Sequence, residues 1–112
     1  MVYNAVTRFL ITYNFPTKMK GFHFLRDSII YVIENKTLPT NNALFEYISE
    51  RHGIVVANVE RCLRTIIDKT WKDLVEQGLF DSRPSPRQFI LDCAEHIAID
   101  PEQPSAFDIL FT

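Results

Sequence analysis

The sequence predicts an all-α domain, and three observations carry that prediction. Only three glycines occur in 112 residues, and they are isolated. Apolar residues return at intervals of three and four along most of the chain, with few alternating stretches, so one-sided helices rather than strands satisfy the pattern. Late in the chain, Ser85-Pro86-Arg87-Gln88 has the form of a helix start: a serine to cap, a proline at the first helical position and a glutamine three residues after the serine.

The elements follow in order. Val6, Phe9, Leu10 and Tyr13 lie on one face of a first helix, which Phe15-Pro16 ends, because proline pushes its predecessor out of the α region. A second helix is expected from about Lys18 to Glu34, with Met19, Phe22, Leu25, Ile29, Val32 and Ile33 as its buried stripe. Residues 35–42 read as a loop, and Asn41 or Asn42 as the cap of what comes next. A short third helix covers about Ala43 to Arg51, with Leu44, Tyr47 and Ile48 inward and Gly53 at the left-handed position beyond its end. After the turn Ile54-Val55-Val56-Ala57, a fourth helix starts near Ala57. Val59, Cys62, Leu63, Ile66, Ile67 and Thr70 form its apolar side; Asn58, Arg61, Arg64, Thr65, Asp68 and Lys72 form the other. That pattern either breaks near Trp71 or runs on through Leu74 and Val75 to Gly78. Residues 81–84 are a second linker. The last helix buries Phe89, Ile90, Cys93, Ala94 and Ile97 and closes at Asp100-Pro101. An acidic tail, 100–112, keeps Phe107, Ile109, Leu110 and Phe111, for docking on the domain or for a dimer contact.

Composition excludes several classes. Hydrophobic residues make up 46% and charged residues 23%, which is globular rather than disordered. The length fits one domain, 1–112. The formal charge of −2 argues against binding nucleic acid through overall charge, leaving a local basic face as the route. No apolar run is long enough to span a bilayer, and no basic leader precedes an apolar stretch, so a cytoplasmic setting is expected, consistent with only two cysteines, Cys62 and Cys93. Cys93-Ala94-Glu95-His96 has no second ligand pair to complete a metal site. His23 and His52 have no nucleophile placed beside them by a motif, and there is no glycine-rich phosphate loop. Neither an enzyme nor a cofactor is expected.

A short helix, a tight turn and a longer amphipathic helix with arginines on its free face make a helix-turn-helix pattern over about 43–72. The wording of two blocks is more specific. Residues Phe15-Pro16-Thr17-Lys18-Met19-Lys20-Gly21-Phe22-His23-Phe24-Leu25-Arg26-Asp27-Ser28-Ile29 resemble the opening of the DNA-binding effector domain of the response regulator stage zero sporulation protein A. Val59-Glu60-Arg61-Cys62-Leu63-Arg64-Thr65-Ile66-Ile67-Asp68-Lys69-Thr70-Trp71 resembles its recognition helix, and Pro86-Arg87-Gln88-Phe89-Ile90 its last helix. The resemblance implies about six helices and a bacterial, nucleoid-associated transcription regulator. Its partner would be double-stranded DNA, bound at short boxes in tandem or as a homodimer, with no membrane and no small-molecule substrate. By position it places Ala57, Asn58, Glu60, Arg61, Arg64 and Thr65 at the DNA, with Glu60 able to accept from cytosine and the arginines able to contact phosphate or guanine. Lys69 and Lys72 would reach the backbone only.

This chain departs from the family wording at several of these positions. Ala57-Asn58 stands where the family usually has Ser-Arg, Thr65 where it has histidine, and Ile54 and Val55 where its turn carries threonines. Ile54 and Val55 cannot cap a helix, which leaves Asn58 to cap one turn later. No lysine or arginine follows Arg87, whereas Asp92, Glu95, Asp100, Glu102 and Asp108 do. The family's receiver domain would need more chain than this sequence offers, so a free-standing effector domain or a fragment of something longer is expected. The competing reading is a protein-interaction module that kept the fold and lost operator reading.

Overall fold

The computed structural model describes residues 2–35, 40–78 and 80–98. Five α-helices lie in these residues, and no strand: α1 (Val2–Thr12), α2 (Lys20–Asn35), α3 (Asn41–His52), α4 (Val56–Glu76) and α5 (Pro86–Ala98). The all-α expectation holds, with five helices here rather than about six. Trp71 is half-buried against the core inside an unbroken α4, so the apolar stripe continues to Leu74 instead of breaking near the tryptophan. The acidic tail, its aromatic residues and the closure at Asp100-Pro101 lie outside the described residues.

Each boundary has a local cause. α1 stops because Asn14 takes a left-handed conformation (φ 64°), which lets the Phe15 N–H reach back to the Leu10 carbonyl at 3.0 Å. Pro16 then prevents continuation, and α2 begins at Lys20, two residues later than the periodicity suggests. The cap of α3 is Thr40, not Asn41 or Asn42: its hydroxyl accepts from the Ala43 N–H at 3.2 Å, so both asparagines fall inside the helix. The start of α5 follows half of the expected capping box. Ser85 Oγ accepts from the Gln88 N–H at 3.2 Å, but the Gln88 side chain donates forward to Asp92 at 2.7 Å rather than back to the cap.

α2 is the central element and packs on all four others, most extensively on α5 and α4. Leu25 and Ile29 of α2 are fully buried with Leu10 of α1, Leu63 and Ile66 of α4, and Phe89 and Ile90 of α5. Phe89 also stacks on Phe80 and meets Phe15 edge-on, with centroids 5.3 and 5.5 Å apart, which ties the α4–α5 connection to the α1–α2 connection. On α3, Leu44, Phe45 and Ile48 are buried. Tyr47, expected inward, is half-buried against Tyr31. The buried hydroxyls of Ser28 and Thr70 bond to carbonyls one turn back, at 2.7 and 2.9 Å, so neither costs an unpaired polar group.

Candidate nucleic-acid interface

α3, a three-residue turn and α4 form the helix-turn-helix, braced from behind by α2. Gly53 carries the turn. Its φ of 67° is left-handed, and both its own N–H and that of Ile54 bond to the Ser49 carbonyl, at 2.9 and 3.2 Å. The Ser49 hydroxyl donates to the Ile54 carbonyl and closes the loop from the other side.

The turn is anchored to α2 by a cluster the sequence did not suggest. Asp27, on the inner side of α2, has only 10% of its side chain exposed. His52 Nε2 donates to its Oδ2 at 2.7 Å, and Arg51 Nε donates to the same oxygen at 3.2 Å. Attraction to Asp27, and secondarily to Tyr47, raises the already high pKa of Arg51. His52 is one end of a link that sets the end of α3 against α2. No periodicity could have shown this link, because Asp27 and His52 are far apart in the chain. The one available hint was a carboxylate beside the apolar stripe of α2.

α4 starts at Val56 with Val55 as its cap position, and no side chain bonds to the free N–H groups there. Asn58 does not cap one turn later; its Oδ1 accepts from Arg61 Nη2 at 2.8 Å. The expected contact residues share the outer side of α4. Ala57, Arg61, Arg64, Thr65, Lys69 and Lys72 are exposed, and Asn58 and Glu60 are half-buried. Arg64 pairs with Glu60 at 2.5 Å, one turn back. The Thr65 hydroxyl donates to the Arg61 carbonyl at 2.9 Å. Lys69 and Lys72 have no hydrogen bond or ion pair among the described residues. Asp68, on the same side, is ion-paired with Arg83 from the α4–α5 connection, which offsets its charge.

Over residues 6–90 the chain matches the family model described as sporulation initiation factor Spo0A C terminal. The chain belongs to this family. The Spo0A C-terminal family is one of helical DNA-binding domains and not an enzyme family. None of the curated proteins compared with the chain matches it. Of its two cysteines, Cys93 is buried in the core and Cys62 is half-buried against it. Burial pushes the Cys93 thiol well above its ordinary pKa. Among the described residues no group of three or more His, Cys, Asp or Glu converges as a metal site would require, and no helix is long and apolar enough to cross a membrane.

Proposed function

We propose that this domain is a sequence-specific DNA-binding transcription regulator that inserts the N-terminal half of α4 into the major groove. The observation that carries the reading is the start of α4. Its N–H groups have no side-chain partner, and the exposed face that follows presents Arg61 and Arg64, paired only with residues of the same helix. Unsatisfied N–H groups and the positive end of the helix dipole attract phosphate. Ala57, Asn58, Glu60, Arg61, Arg64 and Thr65 form the reading set, and Lys69 and Lys72 hold the backbone. The intrahelical pairs do not block this. An exposed pair contributes at most about 1 kcal/mol, whereas a bidentate arginine–guanine contact contributes about 1–3 kcal/mol, so DNA wins the competition for the guanidinium. Two copies occupy tandem boxes or a two-fold site, in the cytoplasm and on the nucleoid.

A second reading, a protein-interaction module without operator reading, is favoured by Asn58. It stands where the family wording has arginine, and its amide is turned onto Arg61. Titration against a duplex carrying the family's box and against a scrambled duplex, at low and physiological salt, separates the two. Box-selective binding that weakens with salt supports the regulator. In that case Arg64→Ala weakens binding to both duplexes. No binding at low salt leaves the interaction module.

A further inference from the structure

Beside the turn lies a cleft of about 470 Å³ lined by Lys20, His23, Phe24, Arg26, His52 and Ile54. Four of the six side chains are basic types and none is acidic. Its position follows from two contacts. Ile54 is two residues before the first residue of α4. Gly21, next to Lys20, lies so close to α4 that a Cβ there would meet the Cys62 carbonyl oxygen at 2.5 Å. The cleft therefore flanks the N-terminal half of α4 on the α2 side.

Of the donors around it, Arg26 is held in place. Arg26 has 15% of its side chain exposed and lies over the Tyr3 ring at 4.6 Å. Its Nη2 lies 3.1 Å from His23 Nδ1. A guanidinium has only donors, so Nδ1 accepts and the ring proton of His23 sits on Nε2 as a further donor. Arg26 Nε is buried without a hydrogen-bond partner, and the nearest carboxylate oxygen, Asp27 Oδ1, is 3.9 Å away. Asp27 itself is engaged by His52 and Arg51. Lys20 is exposed and has no partner among the described residues. The chain as a whole is acidic by two charges, so a concave patch of this composition is a local exception.

We propose that this cleft is an anion site that receives a backbone phosphate of the duplex flanking the groove that α4 enters. The proposal rests on the DNA-binding reading above. Lys20 supplies the mobile charge, and Arg26 and the His23 ring that it holds supply donors beside it. A phosphate contact positions the protein without reading sequence, so this site adds affinity and register but no base preference.

The test is Lys20→Ala, with Arg8→Ala on α1 as a charge-matched control, titrated against box and scrambled duplexes across a salt series. Loss of one phosphate contact makes the slope of log K against log salt shallower by about 0.9, equally on both duplexes. An unchanged slope in Lys20→Ala overturns the site. So does an equal change in Arg8→Ala, which would reduce the effect to net charge. If the wild-type protein binds neither duplex, the DNA reading itself has failed, and inorganic phosphate then tests the cleft alone. Saturable amide shifts confined to residues around Lys20, His23 and His52, absent in Lys20→Ala, would keep an anion site for free phosphate. Their absence in the wild-type protein would overturn it.

Discussion

Gly21→Ala tests the packing that positions the proposed recognition helix. An added Cβ would stand 2.5 Å from the Cys62 carbonyl oxygen and 3.1 Å from Cβ and Cγ2 of Ile66. The first of these atoms is backbone, in the N-terminal half of α4, and no rotamer change can move it. To restore ordinary contact, α2 and α4 must separate by about 1 Å in a region packed at near-crystalline density. Overpacking of this kind costs about 1–3 kcal/mol, and a backbone obstacle puts Gly21→Ala at the upper end. Alanine gains about 1 kcal/mol over glycine as a helix former. The net is a loss of about 2 kcal/mol, or a fall in Tm of about 8 °C for a domain of this size. Calorimetry or a circular-dichroism melt measures it. The sign is decisive: at a helical site with free space the same substitution stabilises, so an unchanged or higher Tm in Gly21→Ala would refute the close α2–α4 approach. With that approach confirmed, the glycine in the sequence block around Lys20-Gly21-Phe22 has a physical reason.

Three further outcomes are expected. Val55→Asp supplies the missing cap of α4 at a position that is 63% exposed, so it should raise stability by about 1 kcal/mol while its charge weakens DNA binding; undiminished affinity would mean that this helix start does not face phosphate. Asp27→Ala removes the shared partner of Arg51 and His52 and should cost about 1–3 kcal/mol in a urea titration, less than for a fully buried pair because Arg51 is 56% exposed; an unchanged midpoint would remove its anchoring role. Burial raises the pKa of Asp92 above its unfolded value, with the Gln88 hydrogen bond opposing, so its contribution to stability is present at low pH and is lost as pH rises through the folded-state pKa. Asp92→Asn should therefore raise Tm at neutral pH and have no effect near pH 3; an equal gain at both pH values would refute this.

Where a single turn of chain holds all the information, the sequence was readable. Gly53 as the left-handed end of α3, Ser85 as the cap of α5, and the absence of a cap at Ile54 and Val55 are each decided by residues within four positions of one another. The cap of α3 was misplaced by one or two residues because Thr40 and the two asparagines after it are all competent caps, and only the direction in which the chain enters the helix chooses among them. The outward face of α4 was legible from its period. What its side chains do was not: whether Asn58 caps or accepts from Arg61 depends on rotamers that a pattern of letters does not contain.

By itself the sequence determined that the chain is helical, most of the buried stripe of each helix, the order of short helix, turn and long helix in the middle of the chain, and which family the wording resembles. These follow from local propensity and period, and the tertiary structure agrees with them because the helices bury the faces that the period marks out. Only the tertiary structure decided that α2 is the brace, that Gly21 lets it lie against α4, that Asp27 ties down the end of α3, and that Lys20, His23, Arg26 and His52 converge on one cleft. Each of these joins residues on different helices. Their distance in space is set by how the buried faces interlock, and neither composition nor spacing along the chain encodes it.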